Sequence, residues 1–162
     1  LPGREISTTL KLHYQNSSSD QTRPGDNYKG YVQVLLPANA EIKSVAEQSS
    51  AELAGVDQDL KSEQSKLNLG FYIHIPVSQT KTYIIRYTQK LDFDIQEDLS
   101  CYNLLLQKQQ GSIVPTLVTL SYPESMVPLV VSRPAISVPG TLSFYLAGDQ
   151  TENISVQFAS AR

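Results

Sequence analysis

Apolar and polar side chains alternate along most of this chain, and the alternation predicts β-strands. The first such run has apolar or β-branched residues at every second position, namely Ile6, Thr8, Leu10, Leu12 and Tyr14. A period of two residues places these side chains on one face of a strand, toward a core. Similar patterns predict further strands over residues 31–36, 42–46, 67–75, 80–88, 102–106, 117–122, 142–146 and 154–158.

Two short segments near the end of the sequence are typical of hairpin turns. Gln109–Ser112 lies between the predicted strands 102–106 and 117–122, and its glycine and serine favour a chain reversal. Gly148–Gln150 lies between the last two predicted strands and has the same character. Each segment therefore predicts that the strands on either side of it pair with each other.

The spacing of the strands indicates the class of fold. Residues 49–65 have a mixed period, which predicts short edge strands or a single helical turn rather than a long helix. About nine or ten short strands, with proline and glycine at the joints, favour an all-β protein over one with helical crossovers. The sequence predicts an immunoglobulin-like or jelly-roll β-sandwich with short or no helices. No linker divides it, so residues 1–162 are predicted to form a single domain.

Composition and charge exclude several classes of function. The chain has 162 residues, 13 Lys and Arg against 16 Asp and Glu, and a net charge of -3. Nucleic-acid binding draws on Lys and Arg, so we expect no nucleic-acid partner. The longest apolar runs, Tyr31–Leu36 and Met126–Val131, are far shorter than the ~20 residues that cross a bilayer. We therefore expect no membrane contact from this segment itself.

Candidate catalytic groups are scarce in the sequence. The only imidazoles are His13 and His74, both within predicted strands, and no nucleophile-elbow, P-loop or zinc-protease motif occurs. His74 alternates with Tyr72 and is predicted to face solvent. Cys101 begins an apolar strand and is predicted to be a buried structural thiol. These observations predict a protein that is not an enzyme.

The densest group of carboxylates marks a candidate metal site. Asp92, Asp94, Glu97 and Asp98 lie within seven residues, and Ca²⁺ prefers such oxygen ligands. The segment departs from the EF-hand loop because the glycine and the final glutamate are missing. A solvated acidic loop is the alternative interpretation. Calcium is the only cofactor that the sequence proposes.

Tyrosines provide a candidate ligand surface. The chain has 9 Tyr, several of them on predicted strands, and aligned tyrosine rings can stack on the faces of sugars. The residues chosen for this role are Tyr72, His74, Tyr83 and Tyr87. Ordinary filling of half-buried strands by tyrosine is the alternative.

A covalent crosslink between the first and last strands is a further hypothesis. Lys11 lies on the first predicted strand and Asn153 opens the last one. An isopeptide bond between them requires that these strands are neighbours and that a buried carboxylate lies close to both side chains.

An ordered series of segments resembles a known family. The segments that carry the resemblance are Tyr28–Pro37, Glu41–Val45, Gly70–Pro76, Thr80–Thr82, Tyr102–Gly111 and Leu142–Phe158. The series is similar to the C-terminal region of a bacterial cell-envelope family of unknown function, the one numbered four thousand and twelve among such domains. Leu106–Gln109 looks like that family's Gln-Lys-Gln segment, whereas Gln110 stands where the family usually has proline.

The resemblance implies a location and a set of partners. Members of that family are envelope proteins of Gram-positive and candidate-phylum bacteria, with one N-terminal transmembrane helix and a large extracytoplasmic part. The chain begins Leu1-Pro2-Gly3-Arg4 without an initiator methionine, so we expect a piece of a larger surface protein with its membrane anchor outside this chain. The expected partners are other envelope proteins or glycans.

Three functions follow from these patterns. The first is a non-catalytic structural or interaction module of a bacterial cell-surface protein. The second is a carbohydrate-binding or peptidoglycan-binding β-sandwich that uses its tyrosines and calcium. The third is a glycosidase-like or transferase-like enzyme, which needs two carboxylates that face each other across a cleft.

Overall fold

The chain is an all-β, sandwich-like protein. The computed structural model describes residues 5–19, 27–49, 52–63, 65–90, 99–108, 110–111 and 113–160, and these contain thirteen strands and no helix. All strand pairs are antiparallel. Contacts divide the chain into two compact units, Leu1–Asp92 and Phe93–Arg162. The prediction of a single domain stays a prediction, because compactness alone does not show whether the units unfold together.

The described residues of the first unit form seven strands in two sheets. Its strands are β1 (Glu5–Gln15), β2 (Tyr28–Pro37), β3 (Ala40–Ser49), β4 (Glu52–Gly55), β5 (Gln58–Glu63), β6 (Lys66–Ile75) and β7 (Thr80–Lys90). The sheets have the orders β1-β7-β3-β4 and β2-β6-β5. The short strands β4 and β5 lie at sheet edges, which confirms the prediction of short edge strands in residues 49–65.

The strand order of the first unit matches that of an immunoglobulin sandwich with one exchange. Strands β2, β6 and β5 correspond to B, E and D, and β7, β3 and β4 correspond to F, C and C′. The place of the last strand, G, beside F is taken by the first strand of this chain, β1, which pairs with β7 along its whole length. The N-terminal strand therefore completes the second sheet.

Both sheets of the first unit supply one hydrophobic cluster. Alternating side chains of β1, β2, β6 and β7 enter it. Its buried members are Leu36, Val45, Leu69, Phe71, Ile73, Ile75, Tyr83 and Ile85. The opposite side chains of β2, β6 and β5 form the outer face of that sheet.

The second unit has its own core, and six strands are described in it. Its strands are β8 (Leu99–Leu106), β9 (Thr116–Ser121), β10 (Met126–Val131), β11 (Ile136–Val138), β12 (Thr141–Leu146) and β13 (Glu152–Ser160). They form two sheets, β10-β13-β8 and β11-β12-β9. The buried cluster consists of Leu142, Phe144, Leu146, Ile154, Val156 and Phe158, from the two central strands.

Both hairpin predictions are wrong. Strand β8 pairs with β13, whereas β9 pairs with β12, so neither predicted pair shares a ladder. Each of the two connections joins strands that lie in different sheets. As a result, β12 and β13 lie in different sheets instead of side by side in one. Their apolar side chains pack against each other in one cluster.

Candidate functional site

Two tyrosines form a fixed pair on the outer face of the sheet β2-β6-β5. Tyr31 on β2 lies directly opposite Tyr72 on the central strand β6. Their ring centroids are 4.8 Å apart, with the ring planes inclined at 61°. This edge-on arrangement is favourable for aromatic rings. Both side chains are exposed, so the pair is presented to solvent rather than packed in the core.

The third strand of the sheet fixes the orientation of Tyr31. Its hydroxyl donates a hydrogen bond to Oδ2 of Asp59 on β5, at 3.0 Å. To reach β5 the side chain must cross β6 at Gly70, which is directly opposite Asp59. A Cβ atom on Gly70 would lie 1.9 Å from Oη of Tyr31, so only glycine leaves room for the ring to cross. Desolvation and the bond to the Asp59 carboxylate raise the pKa of Tyr31, so the phenol keeps its proton.

Polar side chains continue this surface along the strands. We call the whole surface the tyrosine face, which comprises Tyr31, Gln33, Leu35, Asp59, Lys61, Asn68, Gly70, Tyr72 and His74. An open cavity of about 570 Å³ is lined by Gln33, Lys61, Ser62 and Asn68. Aromatic rings beside amide, hydroxyl and ammonium groups can bind a ligand that has both apolar faces and hydrogen-bonding groups.

The four predicted ligand residues separate into two pairs. Tyr72 and His74 lie on the outer face of β6, exposed as their alternation predicted. Tyr83 is only 1% exposed and belongs to the core, and Tyr87 packs partly buried against the same cluster. Both side chains point inward from β7, where a ligand at the surface does not reach the ring of Tyr83. The run Tyr83-Ile84-Ile85 is apolar on both faces, so alternation alone did not show which face turns inward.

The buried phenol of Tyr83 has a structural role. Its oxygen accepts a hydrogen bond from the backbone N–H of His74 at 3.4 Å, which links the two sheets. Burial, with a contribution from the Glu47 carboxylate, raises the pKa of Tyr83 to about 12. Glu47 is itself paired with Lys81 at 2.7 Å.

We expect the stability of the protein to fall when Tyr83 loses its proton. The pKa of Tyr83 in the folded state, about 12, lies above the ordinary phenol value of 10.0, so the native state holds this proton more tightly than the unfolded chain. Its contribution is complete below pH 10 and is lost as the pH rises to 12, which lowers the free energy of unfolding by roughly 2–3 kcal/mol. This loss of unfolding free energy is measured by urea unfolding of the wild type and of Tyr83→Phe at pH 9 to 12.

The control is Leu105→Ala, at an exposed position of the second unit that does not titrate. It should keep the wild-type dependence of the unfolding free energy on pH, whereas Tyr83→Phe should show a shallower one. If the free energy of unfolding fell equally steeply with pH in wild type and in Tyr83→Phe, the proton of Tyr83 would contribute nothing to stability.

The candidate calcium ligands fall outside the described residues. Asp92, Asp94, Glu97 and Asp98 belong to the segment 91–98, so calcium at this position stays a prediction. Within the described ranges, no group of three or more His, Cys, Asp and Glu side chains is arranged to hold a metal ion.

Two further sequence predictions concern single side chains. The prediction for Cys101 is wrong: its thiol is exposed, because Tyr102 and Leu104 take the inward positions of β8. Lys11 and Asn153 lie on β1 and β13, which pair with different strands, so the first and last strands do not share a ladder. The neighbouring strands that an isopeptide bond requires are therefore not formed by this pairing.

A second exposed surface lies on the sheet β11-β12-β9. Leu117 and Tyr145 face each other across β9 and β12, and both are exposed. Ile136 and Val138 extend the surface onto β11. None of these three strands contains a charged residue. Contiguous exposed apolar side chains of this kind are typical of interaction surfaces.

Several residues of the tyrosine face were not predicted from sequence. Tyr31, Asp59 and Asn68 were missed because their roles depend on which strands are neighbours. One signal was present in the chain: Gly70 interrupts a strand pattern, and a glycine there indicates the close approach of another group.

Comparisons with known proteins add no relative to this description. Among the described residues, no helix is long and apolar enough to cross a membrane. Scans against protein-family models, curated proteins and solved structures each found no match to this chain.

Proposed function

We propose that this chain is a non-catalytic saccharide-binding module of a bacterial cell-surface protein, with the tyrosine face as its binding surface. The observation that carries this proposal is the Tyr31–Tyr72 pair, in which the bond to Asp59 and the space at Gly70 hold the ring of Tyr31 against that of Tyr72 although both rings are exposed. An ordered pair of exposed rings is the expected feature of a surface that binds flat, partly apolar ligands.

The physical basis of the proposal is preorganisation. Ordering a side chain on binding costs free energy, and a ring already fixed by a hydrogen bond avoids most of that cost. Sugars present apolar C–H faces to aromatic rings and hydroxyl groups to amides. The tyrosine face offers both kinds of partner, since Gln33 and Asn68 line the cavity on the same outer face.

The envelope location is part of the same proposal and rests on the family resemblance. We place the module outside the cytoplasmic membrane, where it can contact envelope glycans. A segment outside this chain anchors it. The uncharged surface formed by Leu117, Tyr145, Ile136 and Val138 supports a second role in contacts with other envelope proteins.

Replacing Tyr72 with alanine should abolish saccharide binding without unfolding the protein. Tyr72 is 76% exposed, so its removal leaves the core intact, and central aromatic residues carry most of the affinity of a binding surface. We expect the dissociation constant to rise at least about tenfold. A glycan and cell-wall-fragment array identifies the oligosaccharide, and titration calorimetry measures wild type and Tyr72→Ala.

The matched control is Tyr145→Ala, which removes a tyrosine of 75% exposure from the second unit. It should bind like wild type. A folded wild-type protein that binds no oligosaccharide, or one whose binding ignores Tyr72, would contradict the proposal. The oligosaccharide recovered after the titration should be intact, whereas cleaved or transferred products would support the enzyme alternative.

A further inference from the structure

Asn68 is an exception among the polar side chains of the tyrosine face. It is only 9% exposed although it points to the outer side of β6, and its Oδ1 is buried without a hydrogen-bond partner. Buried amide oxygens are almost always bonded, so an unbonded one needs an explanation. The unbonded Oδ1 leaves a hydrogen-bond acceptor of Asn68 unused beside the cavity that this residue lines.

The neighbours of Asn68 combine three kinds of chemistry. Leu35 on β2 and Lys61 on β5 are the residues directly opposite Asn68 on its two sides. Leu35 is 61% exposed and presents an apolar side chain beside the amide. Gln33 and Lys61 line the same cavity as Asn68 and supply hydrogen-bond donors. The region around Asn68 thus combines a hydrogen-bond acceptor, the donors of Gln33 and Lys61, and the small apolar surface of Leu35.

An acetamido group has the complementary set of atoms. Its N–H donates, its carbonyl oxygen accepts, and its methyl group is apolar. We infer that the saccharide bound by the tyrosine face is N-acetylated, with its acetamido group at Asn68 between Gln33 and Leu35. This inference rests on the proposed function and names the substrate class of the same site.

Distance sets the minimum size of the oligosaccharide. Lys61 lies two residues from Asp59 on the same face of β5, and Lys66 lies two residues before Asn68 on the same face of β6, so this part of the surface carries charges of both signs. Asn68 and Tyr72 are four residues apart on β6, which corresponds to about 13 Å along a strand. A ligand that contacts both must span more than one sugar ring.

The test compares two probes that differ at one position of each ring. Tetramers of N-acetylglucosamine and of glucose, both β-1,4-linked, are titrated into the intact chain by calorimetry. We expect the N-acetylated tetramer to bind at least about tenfold more tightly, the gain of one or two hydrogen bonds and a methyl contact.

The variants probe the exposed partners, because Asn68 itself is buried. Gln33→Ala and Leu35→Ser should each reduce several-fold the ratio between the affinity for the N-acetylated tetramer and the affinity for the glucose tetramer. Leu105→Ser is the matched control, since Leu105 is 65% exposed on β8 of the second unit. This control should keep the full preference.

Two results would overturn the inference, and they differ in what they say about the proposed function. Equal affinity for the two tetramers, with binding still dependent on Tyr72, refutes the acetamido site and leaves saccharide binding in place. Binding of neither tetramer by the folded chain, together with a negative array, refutes both.

Discussion

Replacing Gly148 with alanine will destabilise the second unit by about 3 kcal/mol or more. Gly148 has a φ of +77°, a conformation that costs an L-amino acid about 1–2 kcal/mol. The added Cβ would also lie 2.1 Å from the backbone oxygen of Val114 and 2.5 Å from its carbonyl carbon. Backbone atoms cannot turn away as a flexible side chain does, so the connection after β12 must shift. Urea unfolding followed by circular dichroism measures the loss.

Gly111 provides a control for the backbone conformation alone. Its φ of +78° is almost the same, but no atom lies within 4 Å of the position of an added Cβ. Gly111→Ala should therefore cost only about 1–2 kcal/mol. The difference between the two variants measures the clash with Val114. Equal losses in both would show that the second unit accommodates the methyl group at Gly148.

Replacing Phe71 or Phe144 with alanine will each cost about 3–5 kcal/mol, and the two losses will appear in different parts of the protein. Both rings are fully buried, Phe71 in the cluster of the first unit and Phe144 in that of the second. Because the two clusters share no residue, we expect Phe71→Ala to weaken the first unit and Phe144→Ala the second. Hydrogen exchange of the amides in β6 and β12 reports on each unit separately.

This experiment also tests the prediction of a single domain. Two cooperative units should show faster exchange only in the unit that carries the substitution. A single domain should show the same loss of protection in β6 and β12 with either variant. Leu105→Ala, at an exposed position, is the control and should change the free energy of unfolding by less than about 0.5 kcal/mol.

The strands and their faces follow from local pattern. The alternation from Ile6 to Tyr14 predicted β1, and that from Leu67 to Ile75 predicted the buried and exposed sides of β6, including exposed Tyr72 and His74. A period of two residues is a property of the extended backbone itself. It therefore holds wherever a strand forms, whatever its neighbours are.

The pairing of strands, and the choice of which face of a strand turns inward, depend on contacts between residues that are far apart in sequence. The turn at Gly148 indicated a reversal, but the apolar faces of β12 and β13 place these strands in opposite sheets. On β7 both faces are apolar near Tyr83, so only packing against Phe71 and Tyr14 shows that this ring is internal. Alternation alone does not indicate the inward face of such a run. The inward face is decided by packing against residues that are far apart in sequence.

The candidate site combines both kinds of information. Tyrosines at alternating positions were visible in the chain, and they pointed to a ligand surface. The hydrogen bond from Tyr31 to Asp59 joins residues 28 positions apart, across a glycine on a third segment. The sequence therefore determines which residues can lie on a common face. The order of β2, β6 and β5 determines which of these residues come into contact. That order cannot be read from local pattern, because it is set by the burial of the whole core.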